Sequence, residues 1–156
     1  MCKIMVVANQ KGGVAKTSTV RNLSYSLAKL GQRVLAVDFD GQFNLTTCFG
    51  IENPNELEHT IATLMTRLMN DEEIPAKDEY ILKVGNVDLI PSSIQLSVVD
   101  ANLRLEMGSD RLLSCLLDPL SRRFCFWLKA IHARLSLLTA HSMQTIKELA
   151  KFFDLL

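Results

Sequence analysis

The 156-residue sequence lacks an excess of either charge, since it contains 17 Lys and Arg residues and 17 Asp and Glu residues. Overall charge therefore points neither towards nor away from nucleic acid as a partner. No uninterrupted apolar run reaches the roughly 18 residues of a membrane-spanning helix, and the apolar run near the N-terminus is too short for a signal peptide. The four cysteines are scattered and form no C-x-x-C pair, so we expect reduced thiols in a cytoplasmic protein without a membrane span.

A phosphate-binding pattern stands near the N-terminus. After the apolar run of residues 3–8, residues 9–19 read Asn-Gln-Lys-Gly-Gly-Val-Ala-Lys-Thr-Ser-Thr, and an amphipathic stretch follows. A strand, a glycine-containing turn and a helix start in this order attract phosphates through backbone N–H groups, the helix N-terminus and a lysine. We interpret Lys16 as the phosphate-binding lysine and Thr17 as a ligand of a bridging Mg²⁺. The alternative is an ordinary turn with two solvated lysines.

The segment Lys11-Gly12-Gly13-Val14-Ala15-Lys16-Thr17 departs from the standard P-loop pattern, which requires glycine at the positions of Gln10 and Ala15. It resembles the deviant Walker A motif, Lys-Gly-Gly-x-x-Lys-[Ser/Thr], of the ParA/MinD family of ATPases. The resemblance implies that Lys11 reaches the phosphates bound by the other subunit of a dimer, whereas Lys16 binds those of its own. The family usually has glycine where Ala15 stands, and alanine would cost roughly 1 kcal/mol or more if that position requires φ > 0.

Alternating strands and helices predict a doubly wound, mainly parallel α/β sheet of the P-loop NTPase type. Buried strands are expected at residues 3–8, 33–39 and 87–90. Helices are expected at residues 16–30, 56–69, 94–106, 110–120 and 143–153, and a charged loop at residues 71–83. In the first helix, the predicted apolar face consists of Val20, Leu23, Leu27 and Leu30. Ser93 is a candidate cap for the helix that follows it.

A second candidate site follows the second strand. Asp38 and Asp40 stand where that strand ends, and two such carboxylates can hold a Mg²⁺ shell and orient an attacking water. Because ligands bind at the carboxyl ends of parallel strands, we expect these acids beside the glycine-containing turn. The alternative is that one aspartate caps the next helix and the other is solvated.

The acidic segment resembles the family's Asp-x-Asp-Pro-Gln-x-[Asn/Ser], with Gly41 in place of the proline. The resemblance implies that Asp40 positions the hydrolytic water and that Asp38 organises the surroundings of the metal. It also implies that Gln42 and Asn44 belong to a nucleotide-sensing switch.

The resemblance breaks in residues 122–134, where the family has its Walker B strand. Counting back from the family-like segment 135–142 places Ala130 at the position of the Walker B aspartate. There is no acidic residue between Asp118 and Glu148, although this stretch holds Arg122, Arg123, Lys129, Arg134 and Lys147. We hypothesise a short out-of-frame reading of the gene near residues 123–134. The alternative is a natural departure in which a strand survives at residues 124–128 without its carboxylate.

We expect residues 1–156 to form a single, C-terminally truncated P-loop ATPase domain, family-like over 1–121 and divergent over 122–156. The resemblance implies ATP and Mg²⁺ as cofactors. The implied catalytic residues are Lys11, Lys16 and Asp40. The implied cofactor-binding residues are Gly12, Gly13, Val14, Ala15, Lys16, Thr17 and Ser18. The implied metal-binding residues are Thr17, Asp38 and Asp40, partly through water.

The function implied by the resemblance is a ParA-like ATPase of plasmid or chromosome partitioning, with hydrolysis weakened by the missing Walker B carboxylate. Such a protein forms a homodimer on ATP binding, responds to a ParB-type partner, binds DNA non-specifically and associates with the nucleoid. One alternative is a nucleotide-binding remnant or pseudogene product without turnover. Another is a MinD-like regulator of cell division that cycles on and off a membrane.

Overall fold

The computed structural model describes residues 3–9, 13, 15–103, 109–120, 122–124 and 126–132. Within these ranges five strands form one sheet: β1 (Lys3–Asn9), β2 (Val34–Phe39), β3 (Leu82–Val84), β4 (Val87–Ile90) and β5 (Phe126–His132). Their order across the sheet is β1–β5–β2–β4–β3. The first four strands of that order run parallel, and β3 pairs antiparallel with β4. The prediction of a mainly parallel α/β sheet is confirmed.

Helices cover both faces of the sheet. They are α1 (Lys16–Lys29), α2 (Asn44–Cys48), α3 (Ile61–Met69), α4 (Lys77–Tyr80), α5 (Gln95–Leu103) and α6 (Ser109–Leu117), with 3₁₀ turns at Pro54–Glu56 and Asp118–Leu120. Leu35 and Val37 of β2 share one apolar cluster with residues of α3, α5 and α6. Val34 and Ala36 share the other with residues of α1 and α2. Because β2 is buried on both faces, its sequence is apolar without alternation.

The divergent segment forms a central strand. β5 pairs in parallel with β1, from Lys3 opposite Phe126 to Asn9 opposite His132. On its other side it pairs in parallel with β2, from Val34 opposite Phe126 to Phe39 opposite Ile131. A strand therefore survives here, but it begins and ends later than the predicted residues 124–128.

The predicted apolar face of α1 is confirmed in part, because Val20, Leu23 and Leu27 pack in one apolar cluster, but Leu30 does not belong to it. Leu30 is 74% exposed, whereas Val20, Ser24 and Ala28 are buried. The reason is that α1 ends at Lys29 and the chain turns at Gly31, whose φ is +77°. Leu30 therefore lies in the turn, beyond the face that continues from Val20.

The helix predicted at residues 56–69 starts later than expected. Thr60 caps α3, because its Oγ accepts from the Thr63 N–H while its own N–H donates to Thr63 Oγ. The Ser93 hydroxyl lies 3.2 Å from the Thr60 hydroxyl, joining the start of α3 to the turn that follows β4. The preceding 3₁₀ turn at Pro54–Glu56 is a separate element.

The loop prediction for residues 71–83 is wrong from residue 77 onwards, because α4 and the first two residues of β3 lie there. The Ala76 N–H donates to Glu79 Oε1 over 2.8 Å and so closes the first turn of α4. Gly85, with φ of +60°, makes the turn that joins β3 to β4.

The later helices agree with expectation where they are described. α5 lies within the predicted residues 94–106, of which 104–106 fall outside the described part, and α6 with its following 3₁₀ turn covers residues 109–120. The helix predicted at residues 143–153 lies outside the described residues. None of the helices in the described ranges is long and apolar enough to cross a membrane.

Candidate functional site

The turn between β1 and α1 has left-handed backbone at both of its described positions. Gly13 has φ of +71° and Ala15 has φ of +56°. Glycine adopts this conformation without penalty, whereas alanine loses about 1–2 kcal/mol because its Cβ crowds the backbone. The condition under which Ala15 is strained is therefore met. Lys11, Gly12 and Val14 lie outside the described residues.

α1 begins at Lys16, directly after this turn. Ala15 at the N-cap supplies no side-chain hydrogen bond, and the first turn of the helix holds no acidic residue. Lys16 and Thr17 are half-buried, and Ser18 is exposed. The first N–H groups of a helix have no intrahelical partner and carry partial positive charge. An N-terminus without a side-chain cap, preceded by a tight turn, is suited to an anion such as phosphate.

Asp38 lies near the end of β2 and is completely buried. Its Oδ2 accepts from the Thr46 N–H over 2.8 Å and from the Thr46 hydroxyl over 2.7 Å. Its Oδ1 is buried and has no hydrogen-bond partner. One oxygen of this carboxyl group therefore accepts hydrogen bonds from α2, and the other oxygen accepts none.

Burial raises the pKa of Asp38 from its ordinary 3.8 to about 7, because the charged carboxylate is removed from water. The two hydrogen bonds from Thr46 and the backbone N–H of Asp40 act in the opposite direction and lower the pKa, while the negative charge of Asp40 raises it further. A cation or hydrogen-bond donor that reached the unpaired oxygen would strongly stabilise the charged form of this acid.

Asp40 has a more open position than Asp38. Its side chain is half-buried, and Oδ1 accepts from the Gln42 N–H over 3.0 Å. The Asn44 amide donates to Gln42 Oε1 over 3.2 Å, in an exposed contact. Phe43, with φ of +46°, completes the bend before α2. The two acids predicted to act together thus sit in different surroundings, one sealed and one open to water.

Thr46 and Ser92 complete the site, and sequence reasoning missed both roles. The Ser92 N–H donates to Thr46 Oγ over 2.9 Å, and the Ser92 hydroxyl donates to the Asp40 carbonyl over 2.8 Å. Thr46 lies two positions after the recognised acidic segment, and Ser92 follows β4. Ser92 lies two residues after β4 and Thr46 lies within α2, so no position directly after a strand marked either residue.

Gly41 replaces the proline expected from the resemblance, and the structure gives a reason for a small residue here. A Cβ built on Gly41 would overlap Ser97 Oγ and would lie 3.2 Å from the Ser97 N atom. The chain after β2 therefore approaches the backbone of α5 more closely than a larger residue would allow.

The turn after β1 and the acids after β2 lie at the same edge of the sheet but are not adjacent. β5 separates them, and its Ala130 is the register partner of Asp38. With neighbouring strands about 4.8 Å apart, the two halves of the site are offset by about 10 Å. The sequence of β5, Phe-Trp-Leu-Lys-Ala-Ile-His, contains no carboxylate.

Comparison with known proteins identifies similar sequences. Residues 2–149 match a family described as AAA domain. The chain is 34% identical over 146 residues to the sporulation initiation inhibitor protein Soj of Bacillus subtilis, covering 92% of this chain and 54% of Soj. It is 38% identical over 102 residues to the chromosome partitioning protein ParA of Caulobacter vibrioides, covering 65% of this chain and 36% of ParA.

A solved structure shares the fold. Cobyrinic acid a,c-diamide synthase from Mycobacterium smegmatis, crystallised with an ATP analogue and magnesium, aligns with a TM-score of 0.73 and 31% sequence identity. The alignment covers 83% of this chain and 50% of the synthase. The chain thus spans about half the length, or less, of these similar proteins.

Replacing Ala15 with glycine tests the strain in the turn before α1. We expect Ala15→Gly to raise the free energy of unfolding by about 1 kcal/mol, because glycine relieves the left-handed conformation. The measurement is urea unfolding without nucleotide. The matched control is Ala28→Gly at a buried position in the last turn of α1, which should lower stability by about 1 kcal/mol. Equal losses in both variants would contradict the assignment.

The raised pKa of Asp38 predicts a pH-dependent stability. Between pH 5 and 7 the folded protein holds the Asp38 proton more tightly than the unfolded chain, so this contribution to stability falls by about 2 kcal/mol as pH rises. Asp38→Asn should remove that slope when unfolding is followed without Mg²⁺ or nucleotide. Glu52→Gln, at an exposed position, is the control and should keep it. An Asp38→Asn slope equal to that of the wild type would refute the prediction.

Proposed function

We propose that this protein binds ATP together with Mg²⁺ and serves DNA segregation. The chain belongs to the ParA/MinD-like family of P-loop ATPases, and this membership supports the proposal. The observation that carries the proposal is the left-handed turn at Gly13 and Ala15 leading into the uncapped N-terminus of α1. This turn lies at the carboxyl edge of a parallel sheet, which is where such folds bind ligands.

Phosphate binding is assigned to the turn and the first helical residues. Backbone N–H groups and the Lys16 ammonium would receive the negative charge of the triphosphate. Lys11 is proposed to reach the phosphates of the other subunit in an ATP-dependent homodimer, by resemblance to the family. The proposed contact set is Gly12, Gly13, Val14, Ala15, Lys16, Thr17 and Ser18.

The metal is assigned to Thr17, Asp38 and Asp40, partly through water. The unpaired, buried Oδ1 of Asp38 fits such a role, because a carboxylate oxygen without a donor is suited to the hydration shell of a cation. Bound Mg²⁺ would neutralise charge on the phosphates. Asp40, whose side chain is reachable from water, is proposed to position the attacking water molecule.

A nucleotide-binding module without turnover is the second candidate function. It is favoured by the sequence of β5, which offers no carboxylate at the strand between the two halves of the site. In this case the protein would bind Mg-ATP and respond to it by assembly alone.

Partners and location are proposals for the whole protein, because the chain spans about half the length of the similar proteins, or less. Soj and ParA are named for sporulation inhibition and chromosome partitioning. By analogy we propose a ParB-type partner, non-specific DNA binding and a cytoplasmic, nucleoid-associated location.

Calorimetric titration with ATP and Mg²⁺ tests the phosphate site. Lys16→Ala should weaken ATP binding by about tenfold or more, because a charge-assisted contact to phosphate is lost. Lys29→Ala, an exposed position in the last turn of the same helix, is the matched control and should bind like the wild type.

Asp40→Ala should bind ATP but lose turnover, that is, hydrolysis of the bound ATP. Turnover that survives Lys16→Ala would refute the assignment, and wild-type binding without turnover would favour the second candidate.

Placing a carboxylate in β5 tests the importance of its absence. We expect Ala130→Asp to lower the Mg²⁺ concentration needed for half-maximal ATP binding by about tenfold, because position 130 lies opposite Asp38 in the ladder. Ala101→Asp, at an exposed position in α5, is the control. An unchanged Mg²⁺ requirement in Ala130→Asp would show that this register position does not reach the metal.

A further inference from the structure

Three buried residues from separate parts of the chain form one hydrogen-bonded chain beside the proposed metal. Asp38 near the end of β2, Thr46 in α2 and Ser92 after β4 are each 0% exposed. Ser92 donates its N–H to Thr46 Oγ over 2.9 Å, and the Thr46 hydroxyl donates to Asp38 Oδ2 over 2.7 Å. These hydrogen bonds therefore connect the end of β4 to the buried carboxyl group of Asp38.

The direction of these hydrogen bonds is determined by their chemistry. A backbone N–H can only donate, so Thr46 Oγ must be the acceptor in its contact with Ser92. The single hydroxyl hydrogen of Thr46 is then available for Asp38, which also receives the Thr46 N–H over 2.8 Å. Both donors of Thr46 thus converge on Oδ2 of the same carboxyl group.

This arrangement distinguishes the two oxygens of Asp38. Oδ2 takes two donors, whereas Oδ1 is buried without a partner. A buried acceptor left unpaired costs free energy, and a carboxylate oxygen costs more than a neutral one. The unpaired oxygen is therefore the one that gains from a ligand.

We infer that Thr46, oriented by the Ser92 N–H, is a positioning residue that holds Oδ2 of Asp38 and so leaves Oδ1 to accept from the hydration shell of Mg²⁺. The inference rests on the proposed function, since it concerns how the buried carboxyl group of Asp38 is oriented towards the proposed Mg²⁺. Ser92 also contacts the backbone of the second aspartate, because its hydroxyl donates to the Asp40 carbonyl over 2.8 Å. Ser92 is thus linked to Asp40 directly and to Asp38 through Thr46.

The test measures the Mg²⁺ concentration required for half-maximal binding of a fluorescent ATP analogue. Thr46→Val keeps the shape of the side chain but removes its hydroxyl, and should raise this concentration about tenfold, as loss of an outer-shell partner does at metal sites. Thr46→Ser restores the hydroxyl and should stay within about twofold of the wild type. Thr47→Val, which removes an exposed neighbouring hydroxyl, is the matched control and should leave the requirement unchanged.

A double-mutant cycle shows whether Thr46 acts through Asp38. Asp38→Asn should itself raise the Mg²⁺ requirement, and adding Thr46→Val to it should change little further, because the positioned carboxylate is already gone. Thermal unfolding without nucleotide checks that each variant folds. If Thr46→Val does not fold, Thr46→Cys replaces it with the same expectation, since its thiol is a weak donor.

The outcomes separate the inference from the function on which it rests. A wild-type protein that binds no ATP analogue at any Mg²⁺ concentration overturns the proposed function and the inference together. Wild-type binding with an unchanged Mg²⁺ requirement in Thr46→Val overturns the inference alone. Equal changes in Thr46→Val and Thr46→Ser, or additive effects of Thr46→Val and Asp38→Asn, also overturn it.

Discussion

Parallel pairing of β5 with β1 on one side and β2 on the other is the interaction on which the geometry of the site depends. Among the described strands β1 and β2 share no ladder, and β5 lies between them and pairs with both, so that it joins the strand before the turn to the strand that carries Asp38 across the sheet. Backbone hydrogen bonds form this connection, and they do not depend on which side chains the strand carries. A segment without the family's carboxylate therefore still keeps the two halves of the site in register.

The two aspartates lie two positions apart but have different surroundings. Asp38 is sealed and is held by neutral donors from Thr46, whereas Asp40 stays in reach of water. Such a difference in environment separates the proton affinities of two neighbouring carboxyl groups. The division arises because α2 folds back over the end of β2 and covers the first acid only.

The sequence predicted those parts of the molecule that depend on local pattern. β4 has the expected bounds and β2 begins one residue late, because strands buried on both faces are continuous apolar runs. The region of α4 and β3 is predicted as a loop, since its many charged residues leave no apolar pattern that would indicate the short helix and the edge strand. The contact of Ser92 with Thr46 joins residues 46 positions apart and depends on tertiary placement. No local pattern contains that information.

Gly41 and Ser97 are coupled by their close approach, although they lie in different elements. The space for a side chain at position 41 is already taken by Ser97 and its backbone. Any lineage in which position 41 gains a Cβ must also shift or shrink its neighbour in α5, so the two positions should vary together among related sequences. Covariation of this pair would be an evolutionary record of how tightly the chain after β2 is pressed against that helix.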